Sequence, residues 1–302
     1  MRVYFNKNIF LVKTLLGVAM VLFASANVKA ASAHIKADTS KKLLLAAVKK
    51  EAAYITIPAN VVYPSILVGN EDESKDYVEK FSENRRDYLI RMYKKGKTIF
   101  PKVTKTFKKY NVPQEFKVLI ALESAFNGNA VSGAGAVGYW QIMDEVAKEY
   151  GLKYIPQPTA EEKKLALKQK ALKVPDTAKA VAKKPTIKDE RKNFARSTQT
   201  AARYLRDRCK NLNNNWLLVV ASYNCGIGNV WDAMRKTGKT NPSFWDVKPY
   251  LPAETRNYVM NFIALNVVYH NYEKFAGNNL NFNSVKIKAD EDEVLGESGS
   301  KK

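Results

Sequence analysis

Val118-Leu119-Ile120-Ala121-Leu122-Glu123-Ser124-Ala125-Phe126 places one carboxylate inside an otherwise apolar run. On a helix, Leu119, Ile120 and Phe126 lie three or four residues from Glu123, so an ionised carboxylate there loses hydration. It must be paired, be protonated, or face a cleft. Burial disfavours the charged form and raises the pKa, which lets a carboxylic acid hold a proton at neutral pH and deliver it to a leaving-group oxygen. The segment that follows, Asn127 to Met143, is rich in Gly, Ser and aromatic residues, a composition suited to the wall of a sugar groove.

The chain of 302 residues can hold one large or two modest domains, and its 46% hydrophobic content is that of a folded globular protein. Residues 1–30 read as an export signal. Arg2, Lys7 and Lys13 come first, the apolar stretch Thr14 to Phe23 follows, and Ala24-Ser25-Ala26 and Val28-Lys29-Ala30 offer small-residue cleavage sites. Cleavage near Ala30 predicts an exported protein of a bacterial periplasm or cell envelope. The apolar stretch falls short of the roughly 20 residues that span a bilayer.

A formal net charge of +21 implies polyanionic surroundings. For an exported chain these are anionic wall or membrane headgroups rather than nucleic acid; the plainer alternative is that many lysines form solvated faces. Cys209 and Cys225 are too few for a disulfide framework. They either form one bridge, which export permits, or remain two small buried thiols. With only His34 and His270, far apart, a His-based metal site or Ser/His triad has almost no raw material, so metal-free chemistry without a cofactor is expected.

Residues 31–75 read as an N-terminal extended or linker segment, punctuated by Pro58 and Pro64 and either loosely ordered or strapped to the main body. From Asp76 the spacing of Tyr77, Phe81, Tyr88, Leu89 and Met92 predicts a helix, and a second is expected from about Gly96 to Tyr110. Gln114 to Ala125 forms a short helix carrying Glu123; another runs from about Gln141 to Tyr150. Residues 156–188, full of Lys and Ala without an aromatic, read as an inserted basic excursion, mobile or partly helical. Helical patterns resume at Arg196 to Cys209, Trp216 to Asn224, Gly228 to Lys236 and Glu254 to Tyr272. Residues 273–302, acidic from Asp290, are expected to be a disordered tail. The reading is all-α with no substantial sheet.

Gly133, Gly135 and Gly138 fit G-x-G-x-x-G in form, but they follow a helical segment with no parallel sheet around them, which rules against dinucleotide binding. The glycines instead allow close approach and sharp turning.

Glu123-Ser124-Ala125-Phe126-Asn127, then Ala130, Ser132, Gly135-Ala136, Gly138 and Trp140-Gln141-Ile142-Met143, and later Ala221, Tyr223-Asn224 and Gly226, resemble the soluble-type (goose-lysozyme-like) lytic transglycosylase family. Glu254-Thr255-Arg256-Asn257-Tyr258-Val259 and the stretch from Ser197 to Leu205 resemble its membrane-bound murein branch. The likeness covers about residues 76–272, in four blocks in the right order.

The resemblance implies a lysozyme-like helical domain that cleaves the MurNAc-GlcNAc bond of peptidoglycan glycan strands without adding water; the protein is expected to be a monomer. Glu123 matches the single catalytic acid/base. Ser132 matches the contact to the acetamido group, Gln141 and Met143 match groove-lining positions, Tyr223 and Asn224 match the pair beside the acid, and Glu254 matches an acid near the groove. Each has a plainer reading: a turn for Ser132, core for Tyr223, and favourable charge at a helix start for Glu254. Alternatives for the whole are a lysozyme-type hydrolase and an inactive wall-binding scaffold. That branch commonly carries C-terminal wall-binding repeats, which this sequence does not continue into, so wall affinity is expected from the domain or its charge. The Lys-rich insertion grips anionic polymer, acts as a lid, or does neither.

Overall fold

The computed structural model describes residues 54–158, 160–171 and 187–288. The export signal read at residues 1–30 and the acidic stretch from Asp290 lie outside the described residues.

The described body is helical, with one short ribbon. Strand β1 (Tyr54–Ile57) leads through an extended strap to helices α1 (Glu71–Asn84) and α2 (Arg86–Lys109). A 3-10 turn, Gln114–Val118, runs directly into α3 (Leu119–Ser124). After the Gly-rich loop come α4 (Asp144–Glu149), α5 (Ala160–Ala171) and α6 (Phe194–Asn211). Then follow α7 (Trp216–Cys225), α8 (Ile227–Lys236), α9 (Phe244–Val247), α10 (Ala253–His270), α11 (Tyr272–Ala276) and strand β2 (Val285–Lys288).

The core is organised around α10, which buries Val259, Met260, Phe262, Ile263, Ala264, Leu265, Val267 and Val268. A helix apolar on every side belongs in an interior, and α10 packs against α1, α2, α3 and α7. α7 carries another continuous apolar run, Leu217 to Ala221, all buried. Its N-terminus is capped by the Asn215 side chain, which accepts from the Leu218 N–H at 3.3 Å, and Gly226 ends it at φ 82°. In α6, small buried residues (Ser197, Thr198, Ala201, Ala202) allow close packing of neighbours. Among the described residues no helix is long and apolar enough to cross a membrane.

Several boundaries differ from the sequence reading. The break falls at Arg85, whereas Gly96 and Pro101 both lie inside α2. A Cβ at position 96 would stand 2.3 Å from the Phe100 ring, so glycine here makes room for that ring rather than starting a helix. α4 begins at Asp144, because Gln141 adopts φ 46° and Met143 is extended. Residues 273–288 of the tail expected to be disordered are ordered. Phe275 and Phe282 are buried, Asn60 N–H donates to the Asn281 carbonyl at 2.9 Å, and β1 pairs antiparallel with β2, Tyr54 facing Lys288 and Ile57 facing Val285. Part of the strap that precedes α1 is therefore fastened to the tail.

Within the basic excursion α5 is helical. Its flanks are held together: Glu190 N–H donates to the Lys153 carbonyl and Lys153 N–H to the Glu190 carboxylate, each at 2.8 Å. Beside them Arg191, fully buried, pairs with Asp144 and with Asp189 (2.7 Å) and donates to the carbonyls of Ile142 and Ile155. Burial opposes the Asp189 charge, but the Arg191 guanidinium outweighs it and holds that carboxyl below the usual range. This cluster ties both ends of the excursion to the start of α4.

Candidate active site around Glu123

α3 stops one residue after Glu123. Ala125 and Phe126 both take left-handed conformations, φ 48° and 66°, which no glycine relieves and which cost about 1–2 kcal/mol each. The strain is held by packing: the Phe126 ring meets Phe100 edge-on at 5.6 Å, and the Ser124 hydroxyl donates to the Tyr139 carbonyl at 2.8 Å while accepting from Asn127 N–H. The sharp turn leaves Glu123 at the end of its helix, half-buried rather than sealed.

Among the described residues no Lys or Arg pairs with Glu123. Its partner is neutral: the Tyr258 hydroxyl, one helix face of α10, donates to Glu123 Oε1. Burial pushes the Glu123 carboxyl up to about 7, and the Tyr258 hydrogen bond opposes that rise. The Tyr258 and Tyr223 hydroxyls are themselves driven well above the usual phenol range, by burial first and then by the Glu123 charge, so both remain O–H donors. Tyr223, on α7, donates to the Trp140 carbonyl at 2.7 Å and stands edge-on to Tyr204 at 5.5 Å. The result is a carboxyl poised between its two protonation states at neutral pH, with phenols rather than charges around it.

The Gly-rich loop is built to be stiff. Val137 bridges to both Val131 and Ile142, and Gly138 N–H donates to the Ala130 carbonyl at 2.8 Å. Gly138 has φ 86°, and a Cβ there would lie 2.1 Å from the Arg191 carbonyl oxygen. Trp140 is fully buried and its indole N–H donates to Thr198 Oγ1 at 3.0 Å, anchoring the loop to α6.

The residues singled out from the sequence divide into groups. Glu123 and Tyr223 come together. Asn224 is used by its neighbour helix: its Oδ1 accepts from Thr255 Oγ1 at 2.7 Å. Ser132 Oγ accepts from Ala136 N–H at 3.0 Å, and Gln141 donates from Nε2 to the Gly138 and Ala130 carbonyls at 2.9 and 3.3 Å, so both side chains brace the loop. Met143 lines a cleft of about 510 Å³ with Gly133, Gly135, Gln157, Lys164 and Leu167; Glu123 is not in that lining. Glu254 is exposed in the first turn of α10, one turn before Tyr258. The sequence reading missed Tyr258 as the acid's partner, although it stands in the same quoted run. Its signal was a phenol facing inward from an apolar helix, where a hydroxyl needs a partner. Cys209 and Cys225 are free thiols.

The family model of the Transglycosylase SLT domain matches residues 103–167 and 173–245, the span that holds Glu123, the loop, Tyr223 and Asn224. This stretch of the chain is similar to transglycosylase SLT domains. The chain is 28% identical over 211 residues to membrane-bound lytic murein transglycosylase D of Escherichia coli K12, a match covering 69% of this chain and 39% of that protein. The chain thus matches well under half the length of that relative. Among solved structures, an inactive mutant of the lytic transglycosylase Slt of Pseudomonas aeruginosa is 24% identical, with 57% of this chain and 24% of that one covered at a TM-score of 0.36. The 70 kDa soluble lytic transglycosylase of Escherichia coli is 16% identical, with 77% and 40% covered at a TM-score of 0.40.

Proposed function

We propose that the chain is a lytic murein transglycosylase of the SLT kind, with Glu123 as its only acid/base. The observation that carries this reading is the state of Glu123: half-buried, raised to about 7, and partnered by the neutral Tyr258 rather than by a cation. Protonated, Glu123 gives its proton to the glycosidic oxygen between MurNAc and GlcNAc as the bond to C1 breaks. The acetamido carbonyl of the muramoyl sugar covers C1 in the interval. Glu123, now a carboxylate, takes the proton of the C6 hydroxyl, and O6 closes on C1 to give a 1,6-anhydro end. One carboxyl serves both steps because the nucleophile is tethered to the substrate, which removes the need for a second carboxylate to activate water as a base.

Tyr258 acts here as a positioning residue that fixes the carboxyl rotamer. Ser132 and Gln141 act by holding the glycine loop in the shape that receives acetylated sugars, and Met143 offers a polarisable face to them. The export signal and the basic charge support a location in a bacterial envelope, among anionic wall polymers.

Mass analysis of peptidoglycan digested by the wild-type chain and by Glu123→Gln tests the reading. Anhydro-muramoyl ends released by the wild type and absent with the variant are expected. Reducing ends instead would indicate a hydrolase, and release of no product by the wild type would leave a wall-binding scaffold.

A further inference from the structure

Among the described residues, three buried side-chain polar atoms find no hydrogen-bond partner: Gln114 Oε1, Arg208 Nε and the Tyr269 hydroxyl. Gln114 and Tyr269 line one cavity of about 600 Å³, whose lining does not include Glu123. The cavity lies where the middle of α2, the end of α10 and the Gln114–Val118 turn meet. Buried polar groups are normally satisfied, so two orphans in the wall of one cavity point to a missing partner that enters it.

The rest of the lining says what kind. Tyr93 meets Tyr269 edge-on at 5.3 Å, and Phe100 lies 6.1 Å from Tyr269, giving an apolar aromatic wall. Lys97 Nζ stands 5.6 Å from the centre of the Tyr93 ring, and Lys117 Nζ 5.6 Å from that of Phe100. Neither lysine is in an ion pair among the described residues, so each ammonium keeps donors for an anion while its stem rests on a ring. Glu115, on the same turn and in the same lining, offers a carboxylate to peptide N–H groups, so the ligand's own carboxylate must sit on the lysine side. The volume falls within the range of about 300–1,000 Å³ typical of small-ligand sites.

We propose that this cavity binds the carboxylate end of a short peptide. Lys97 and Lys117 take the terminal carboxylate, Gln114 Oε1 accepts a peptide N–H, and the Tyr269 hydroxyl donates to a peptide carbonyl. Both residues line the cavity while their orphan atoms are buried, so entry of the peptide must turn the Gln114 amide, at the loss of its 3.1 Å Nε2 bond to the Val112 carbonyl, and shift the Tyr269 side chain so that its hydroxyl reaches the cavity. An uncharged sugar could meet the two orphans but would leave both lysines unused. The inference is independent of the reading of Glu123.

Calorimetric titration of the wild-type chain with acetyl-dialanine, its C-terminal amide and the N-acetylglucosamine dimer tests it. Saturable binding of the acid is expected, at least tenfold tighter than binding of the amide, and unchanged in Glu123→Gln. Tyr269→Phe and Gln114→Leu should each weaken it about tenfold, while the thermal midpoint of the ligand-free Tyr269→Phe chain stays level or rises, since an unpaired hydroxyl has been removed. The proposal is overturned by absence of saturation at millimolar acid, by equal binding of acid and amide, by preference for the sugar, or by loss of binding in Glu123→Gln. Unaltered binding in both Tyr269→Phe and Gln114→Leu overturns it equally.

Discussion

Tyr258 and Glu123, 135 residues apart in sequence, share one hydrogen bond in which the phenol donates to Oε1 of the carboxylate. The direction of that bond has a consequence for acid strength. A donor stabilises the ionised form, so it works against the burial that raises the Glu123 pKa. In Tyr258→Phe the Glu123 titration should therefore move to higher pH, by roughly one pH unit for a hydrogen bond to a charged group. A carbon-13 titration of the Glu123 carboxyl, or the alkaline limb of the peptidoglycan-cleavage profile, measures it. An unmoved or lowered midpoint would contradict the assigned role of Tyr258.

Stability should carry the same signature. The folded carboxyl titrates near 7 and the unfolded one at its ordinary 4.5. Between those values the native state binds more protons than the unfolded chain, so stability falls as pH rises from about 4.5 to 7 and levels off above. Glu123→Gln cannot ionise and lacks this loss. Its stability relative to wild type should be near equal at pH 4 and greater by about 3 kcal/mol at pH 8, as read by urea denaturation. A constant difference across that range would rule out the raised pKa.

Arg191 predicts a large structural effect through a charge cluster that braces the glycine loop from behind. Replacing it with alanine leaves the carboxylates of Asp144 and Asp189 without their buried counter-charge, one of which is only 4% exposed. A loss of about 3–5 kcal/mol is expected on breaking such a cluster from one side. Arg191→Lys should recover little, because a single ammonium cannot reach both carboxylates and two carbonyls in the guanidinium's fork. Denaturant melts of the two variants compare them directly.

Glycines in this domain should respond unequally to a methyl group. Gly138→Ala forces a side chain at φ 86° against the Arg191 carbonyl, so the loop must shift; a loss above about 2 kcal/mol is expected, together with loss of wall cleavage. Gly228, inside α8 with nothing within 4 Å of its would-be Cβ, should gain up to about 1 kcal/mol on the same change. Thermal melts that rank the two alike would mean the loop is softer than its hydrogen bonds suggest.

What could be read from the sequence was local. A carboxylate within an apolar run, a loop of glycines and an inward Tyr223 announce themselves through neighbours three or four residues away. Tyr258 does not, since a Tyr in an apolar helix reads as core until the helix that faces it is known. Ser132 and Gln141 read from the sequence as sugar contacts; what composition does not foretell is that Ser132 Oγ and Gln141 Nε2 also bond within the loop, around a left-handed Gln141. Gly96 misleads because its role is to admit the Phe100 ring, a packing fact invisible to helix-start rules. The ribbon escaped because each strand has four residues and its partner lies over 200 positions away.

That ribbon also fixes how the helical body would answer a pull. Tyr54 faces Lys288, so the outward ends of both strands lie at the same edge of the ladder. Tension applied through residues 54 and 288 peels the pairs apart one after another, the weakest way to load a ladder, instead of shearing all of them at once. The ribbon would part first, as a mechanical fuse, and the helices that hold Glu123 would feel the load only afterwards.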